Sequence, residues 1–338
     1  MLRLPVKPTL LLLVLLVPAA VAFSLVTGTV SIPLAAVWQA LFADTATQSS
    51  AILFDIRLPR ILLALSVGMI LASSGAVMQG LFRNPLADPS LIGVSSGASV
   101  GASLVIVVAA QWLPAGVNAE LPLIAAGAFA GGFAATILVY RLATSEVGTS
   151  VATMLLAGIA ISALAGALNS LLSYFADNDM LRRISLWQMG NLSGADWRRL
   201  SLVAGSAVLL MVLFPRDSKP LNALLLGESE ARHLGVDVQR VKRRLIVLTA
   251  LGVGVSVAAA GMVAFVGLVV PHIMRLLIGP DHRYLIPGSA LAGATLLMLA
   301  DTVGRIVVAP AELPTGIITA LMGAPFFIAL LVQYRKRV

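Results

Sequence analysis

Residues 57–83 read RLPRILLALSVGMILASSGAVMQGLFR. Arginines stand at 57, 60 and 83, and the stretch from 61 to 82 carries no charge. A helix needs about 20 consecutive, mainly apolar residues to cross the hydrocarbon core of a bilayer. The run is continuous rather than alternating, which is the pattern of a helix and not of a membrane strand. Lipid offers no water to the backbone, so such a segment must satisfy its own amides and carbonyls by coiling. Residues 58–80 are therefore expected to span a membrane.

The rest of the chain has the same texture. Of 338 residues, 59% are hydrophobic and 11% charged, whereas a soluble domain carries about 25% charged residues. So few charges cannot cover a water-soluble globule. The apolar share allows roughly ten spans of about 20 residues each. The runs place them near 9–27, 58–80, 91–110, 120–140, 151–174, 198–214, 245–260, 263–278, 285–303 and 313–333. The fold expected is an all-α membrane protein, one transmembrane domain over residues 1–338. Residues 28–57 form a long first loop with a short amphipathic piece at 34–42. The basic start at Arg3 and Lys7 and the Ala20-Val21-Ala22 triplet resemble a signal peptide. The apolar run continues past that triplet to Val26, which favours an uncleaved first span.

The formal charge of +8 could suit nucleic acid in a soluble protein. In a membrane protein it is read as basic loops held on the cytoplasmic side, with no nucleic-acid partner. With the N-terminus inside, Arg57, Arg60, Arg182, Arg183, Arg198, Arg199 and Arg305 fall on the outer side. The remainder of the 23 Lys and Arg, Arg3, Lys336 and Arg337 among them, fall inside. Both termini are thus expected in the cytoplasm, and the outer arginines run against the trend. Glycines at 93, 97 and 101, at 127 and 131, and the series Gly158, Ser162, Gly166 have the spacing of close helix packing.

Several chemistries are missing. There is no cysteine and no GxxxxGK[ST] phosphate loop, so the chain does not bind ATP in that way. His233, His272 and His282 are too scattered for a metal site, and no HExxH occurs. Ionisable residues inside the spans are nearly absent, Asp301 being the main exception. Ion-coupled carriers and intramembrane enzymes need such groups. A secondary transporter working alone is therefore the weaker alternative to a pathway driven by a partner.

Four stretches carry identity: RLPR at 57–60, SGAVMQGLFRNPLADP at 74–89, the polar segment 221–236, and FVGLVVPHIMR at 265–275. Together with Asp281-His282-Arg283, Ala300-Asp301 and Glu312-Leu313-Pro314-Thr315-Gly316 they closely resemble the FecCD family of permeases. Those are membrane subunits of ABC importers for iron–siderophores, heme and cobalamin. The resemblance runs from about residue 25 to 335. It implies a type II ABC importer permease fold of ten helices, in a bacterial inner membrane. It also implies a homodimer, two cytoplasmic ATPase subunits and a periplasmic substrate-binding protein. No cofactor belongs to this chain, because ATP and magnesium are bound by the partner ATPase.

Residue roles follow from the resemblance. The segment 221–236 matches the family's ATPase-coupling helices, with Leu221, Asn222, Leu225, Gly227, Glu228, Ala231, Leu234 and Gly235 as candidate contacts. Arg57, Arg60 and Arg305 match arginines that receive acidic residues of the binding protein, and arginine's planar fork suits that pairing. The fifth span and the stretch after it supply Asn169, Ser173, Tyr174, Arg182 and Arg183 as candidate pathway residues. The wording at 79–85 and 168–191 looks most like the family's heme permeases. Aromatic and Met side chains between 174 and 197 suit a flat macrocycle, and arginines suit its propionates. Heme is the expected cargo, with a ferric siderophore or cobalamin as alternatives.

Overall fold

The computed structural model describes residues 4–42, 48–112, 120–146 and 148–335. The basic residues Arg3, Lys336 and Arg337 of the charge argument lie outside these. The chain is helical almost throughout. In order it forms α1 (Val6–Val26), α2 (Leu34–Phe42), α3 (Gln48–Ala51), α4 (Leu58–Leu81), α5 (Val94–Trp112) and α6 (Glu120–Ala143). A two-stranded hairpin follows, β1 (Thr144–Ser145) paired antiparallel with β2 (Gly148–Thr149). Then come α7 (Val151–Phe175), α8 (Asn178–Gln188), α9 (Trp197–Leu213), α10 (Ser218–Leu224), α11 (Glu228–His233) and α12 (Val238–Ala260). The last three are α13 (Val266–Ile278), α14 (His282–Ile306) and α15 (Thr315–Arg335). Among the described residues, seven helices are long and apolar enough to cross a membrane, and shorter apolar helices lie at 94–108, 266–278 and 315–330. These are the ten expected spans. The amphipathic piece at 34–42 is α2.

Helix ends fall within three residues of the sequence reading, except at the start of α12. The helix expected at 245–260 begins at Val238, where Asp237 accepts a capping hydrogen bond from the Arg240 amide. Hydropathy marks the lipid-facing part of a helix, and the basic turn around Lys242, Arg243 and Arg244 simply continues the coil. The helix expected at 263–278 starts at Val266. Gly261 and Phe265 both have φ of +67°, so the chain leaves the helical region between α12 and α13. With 13 residues, α13 rises only about 20 Å, less than the ~30 Å hydrocarbon core.

The core is built around α4, 83% of whose apolar window is buried. A helix apolar all round belongs inside. In lipid no hydrophobic force drives helices together, and close van der Waals contact takes its place. Small residues provide that contact. A Cβ on Gly68 would stand 2.2 Å from the Gly293 carbonyl oxygen, so α4 and α14 touch backbone to backbone. The glycine stripes of α5 and α6 meet in one interface, where a Cβ on Gly101 would lie 2.0 Å from the Gly127 oxygen. The third stripe differs. Gly158 closes on the Leu91 carbonyl, but nothing stands within 4 Å of a Cβ on Gly166. Ser162 instead shares a 2.7 Å hydrogen bond with Ser96 on α5. The outward face of α7, with Leu156, Ile159, Leu164 and Leu168, is exposed.

The two ends of the bundle are chemically different. One end gathers the turn after α4, the hairpin, α10, α11 and the α13–α14 junction, and it is rich in Lys and Arg. It is called the basic end below. The other end holds Arg57, Arg60, Arg305, Asp301 and Glu312.

Candidate functional site: a cavity between two polar ends

The far end is a buried ion cluster. Arg60 projects from α4 just after Pro59, where the π-helical turn Ile52–Arg57 passes into the α-helix. Its Nε donates to both Asp301 oxygens at 3.1 and 3.0 Å, and Nη2 donates to Asp301 Oδ1 at 3.0 Å. Its Nη1 donates to Glu312 Oε2 at 2.8 Å. Arg305, one turn beyond Asp301 on α14, lies 3.3 Å from Asp301 Oδ2, and its Nη2 donates to Thr302 Oγ1 at 3.0 Å. Thr315, which opens α15, donates to Asp301 Oδ1 at 3.0 Å. Arg57 donates to the carbonyls of Leu25 and Val30. It thereby satisfies one oxygen that the C-terminal end of α1 leaves open and one in the loop that follows.

Arg57, Arg60 and Arg305, expected from the sequence as docking residues for a binding protein, are engaged within this chain. Their relative exposures are 4%, 6% and 4%, and their donors serve α1, α14 and the turn before α15. The signal in the sequence was Asp301. A carboxylate inside a span needs a named partner, and Arg305 stands at i+4 on the same helix.

At the basic end, the segment 221–236 is two short helices rather than one. Gly227 separates them with φ 130° and ψ 157°, a conformation open in practice to glycine alone. Leu221 and Ala231 are fully buried, so these two predicted partner contacts face the protein's own core. Glu228 is also engaged at home. Its Oε1 accepts from Lys242 Nζ at 2.7 Å, and the same ammonium donates to the Thr149 carbonyl at 2.8 Å. Asn222 bonds to α14. The side chains presented outward include Leu226 and Leu234, with 68% and 64% exposure, beside the exposed Gly235. Leu225 is half-buried. Leu226 was not among the predicted contacts; it sits in the turn between α10 and α11, which reads in the sequence as part of one continuous segment.

Between the ends lies a cavity of about 1270 Å³. One wall is hydroxyl- and amide-bearing: Ser95, Ser96 and Ser99 of α5 with Ser162, Asn169, Ser170 and Ser173 of α7. Asn169 Nδ2 donates to Ser99 Oγ at 3.0 Å, while its buried Oδ1 has no partner. The opposite wall is the non-helical stretch 262–265 and the start of α15, with Met189 from the turn after α8. The pathway candidates Asn169 and Ser173 thus line the cavity together. Tyr174, Arg182 and Arg183 do not. Tyr174 is 82% exposed. The stretch that holds the arginines is the helix α8, capped by Asp177, with Arg183 paired to Asp179 at 2.9 Å. Both arginines sit on its exposed face. The serines of α5 were missed, since serine at helical spacing is a weak signal alone.

A bundle of ten apolar helices around a polar-walled cavity defines a membrane permease. The chain belongs to the FecCD transport family, whose model matches residues 12–333, and it is a permease of the ABC importer class. It is 45% identical to the hemin transport system permease protein HmuU of Yersinia pestis, over 98% of both chains. It is 47% identical to the cobalamin import system permease protein BtuC of Halobacterium salinarum, over 84% of this chain and 74% of that one. Among solved structures it superposes on an inward-facing metal-chelate type ABC transporter with a TM-score of 0.83 at 34% identity. That match covers 96% of this chain and 98% of the other.

Proposed function

We propose that this permease carries heme from the periplasm to the cytoplasm as half of a homodimeric pathway. Two cytoplasmic ATPase subunits would drive it, and a periplasmic binding protein would deliver the cargo. The observation that carries the choice of heme is the 45% identity to a hemin permease along 98% of both chains, whereas the cobalamin match leaves part of each chain uncovered.

The cavity supports the reading. A hydroxyl wall facing Met189, Met262 and Phe265 offers a macrocycle weak contacts to its edge and faces. Among the described residues no histidine lines it, so a heme iron would gain no imidazole bond to retard release. The basic end, by the positive-inside rule, is the cytoplasmic end, and Leu226 and Leu234 there would seat the ATPase. The second reading, cobalamin or a ferric siderophore, draws on the 47% identity to a cobalamin permease.

The test is ATP-driven uptake in liposomes holding the permease with its ATPase and binding protein. Heme accumulation with no accumulation of cobalamin or a ferric siderophore is the expected result. Cobalamin or siderophore uptake without heme uptake would overturn the choice of cargo.

A further inference from the structure

Asn222 lies in α10, yet it works on α14. Its Nδ2 donates to Asp281 Oδ1 at 2.7 Å. Its Oδ1 accepts the His282 backbone N–H at 2.9 Å and lies 2.8 Å from His282 Nδ1. A carbonyl-type oxygen can only accept, so Nδ1 of His282 carries a proton in this contact. Asp281 in turn caps α14 by accepting from the Arg283 amide at 3.0 Å. One side chain therefore uses both its donor and its acceptor to fasten α10 to the first turn of α14.

From that fastening a continuous path runs to the cavity. The 25 residues of α14 make a rod of about 37 Å. Backbone contact with α4 at Gly68 and Gly293 holds it in place. Toward its far end Asp301 accepts from Thr315, and Gly316 and Ile317, the next residues of α15, line the cavity. The neighbouring α11 is tied elsewhere, through Glu228 and Lys242 to α12 and the hairpin. Gly227 is the joint between the two ties.

We propose that Asn222 is the positioning residue through which movement of the coupling segment reaches α14 and, through Asp301 and Thr315, the cavity wall. The proposal rests on the reading of an ATP-driven importer. It differs from a partner-contact role for Asn222, because the residue acts on its own chain.

The test exchanges the amide and the carboxylate. Asn222→Asp sets two carboxylates against each other. Heme transported per ATP hydrolysed is expected to fall about ten- to a hundredfold, the range set by one hydrogen bond to a charged group. Adding Asp281→Asn restores one donor between the two positions and leaves an acceptor for His282. The double variant is expected to return to within about threefold of the unaltered permease, as coupled neighbours do in a double-mutant cycle. Unchanged heme per ATP in Asn222→Asp, or no recovery in the double variant, would overturn the proposal.

A second measurement needs no ATPase. The chain has no cysteine, so Leu226→Cys takes a spin label at one place in the purified permease. The label should become more mobile with Asn222→Asp and tighten again in the double variant. Equal mobility in all three would overturn the fastening itself. Absence of any heme uptake by the unaltered complex would instead remove the choice of heme as cargo, while the label still decides the fastening.

Discussion

Arg60 and Asp301, 241 residues apart in the chain, meet through two guanidinium nitrogens at 3.0–3.1 Å inside the protein. Removing one member leaves the other charged and buried. Arg60→Ala is expected to destabilise the fold by about 3–5 kcal/mol. Arg60→Lys should recover only part of that, because an ammonium is a point charge without the fork. Thermal unfolding in detergent measures both. An unfolding temperature for Arg60→Ala equal to the parent's would mean that the cluster does not hold the far end together.

Two glycines should respond in opposite senses. Gly101→Ala places a methyl 2.0 Å from the Gly127 oxygen, and the helices must separate at a cost of about 1–3 kcal/mol. Gly205 on α9 has nothing within 4 Å of a built Cβ. Gly205→Ala should leave stability unchanged or raise it by up to about 1 kcal/mol through helix propensity. Comparing the two unfolding temperatures checks the pair, and equal losses would refute the backbone contact.

Hydrogen bonding from the Arg283 guanidinium, with a smaller share from Asn222, holds the Asp281 carboxyl down to about 2, against an ordinary value of 3.8. The folded value lies below the unfolded one. Its stabilising contribution is therefore complete above 3.8 and fades as pH falls toward 2. A spin label at Leu226→Cys should be equally constrained at pH 7 and pH 5, and should loosen only below about pH 4. Loosening between pH 7 and 5 would point to a different titrating group.

Leu226 and Leu234 are exposed apolar side chains on an otherwise charged surface. Leu226→Asp with Leu234→Asp should abolish co-purification of the ATPase partner. Exposed substitutions of this kind move stability by about 0.5 kcal/mol or less, so the unfolding temperature should not change. Retained co-purification would place the partner elsewhere.

The ten helices were legible because each depends on composition within one stretch of about 20 residues. The break between α12 and α13 was not, because it depends on positive φ at Gly261 and at Phe265, and nothing local marks a phenylalanine for that conformation. The arginines show the same limit. Their number was readable, but the pairing of Arg60 with Asp301 spans 241 positions and exists only in the packed bundle. The polar segment 221–236 could be located amid the apolar runs. Which of its side chains face inward could not be read, since Asn222 and Glu228 are claimed by Asp281 and Lys242 from distant helices.

The shortness of α13 has a consequence for the segment that precedes it. Counted up from the basic end, its helical backbone stops about 10 Å short of the far side of the hydrocarbon layer. From there residues 262–265 run uncoiled along the cavity. Bare peptide groups at that depth persist only where water or protein can solvate them. Residues 262–265 therefore cannot face lipid, and the cavity together with the start of α15 is what stands between them and the hydrocarbon.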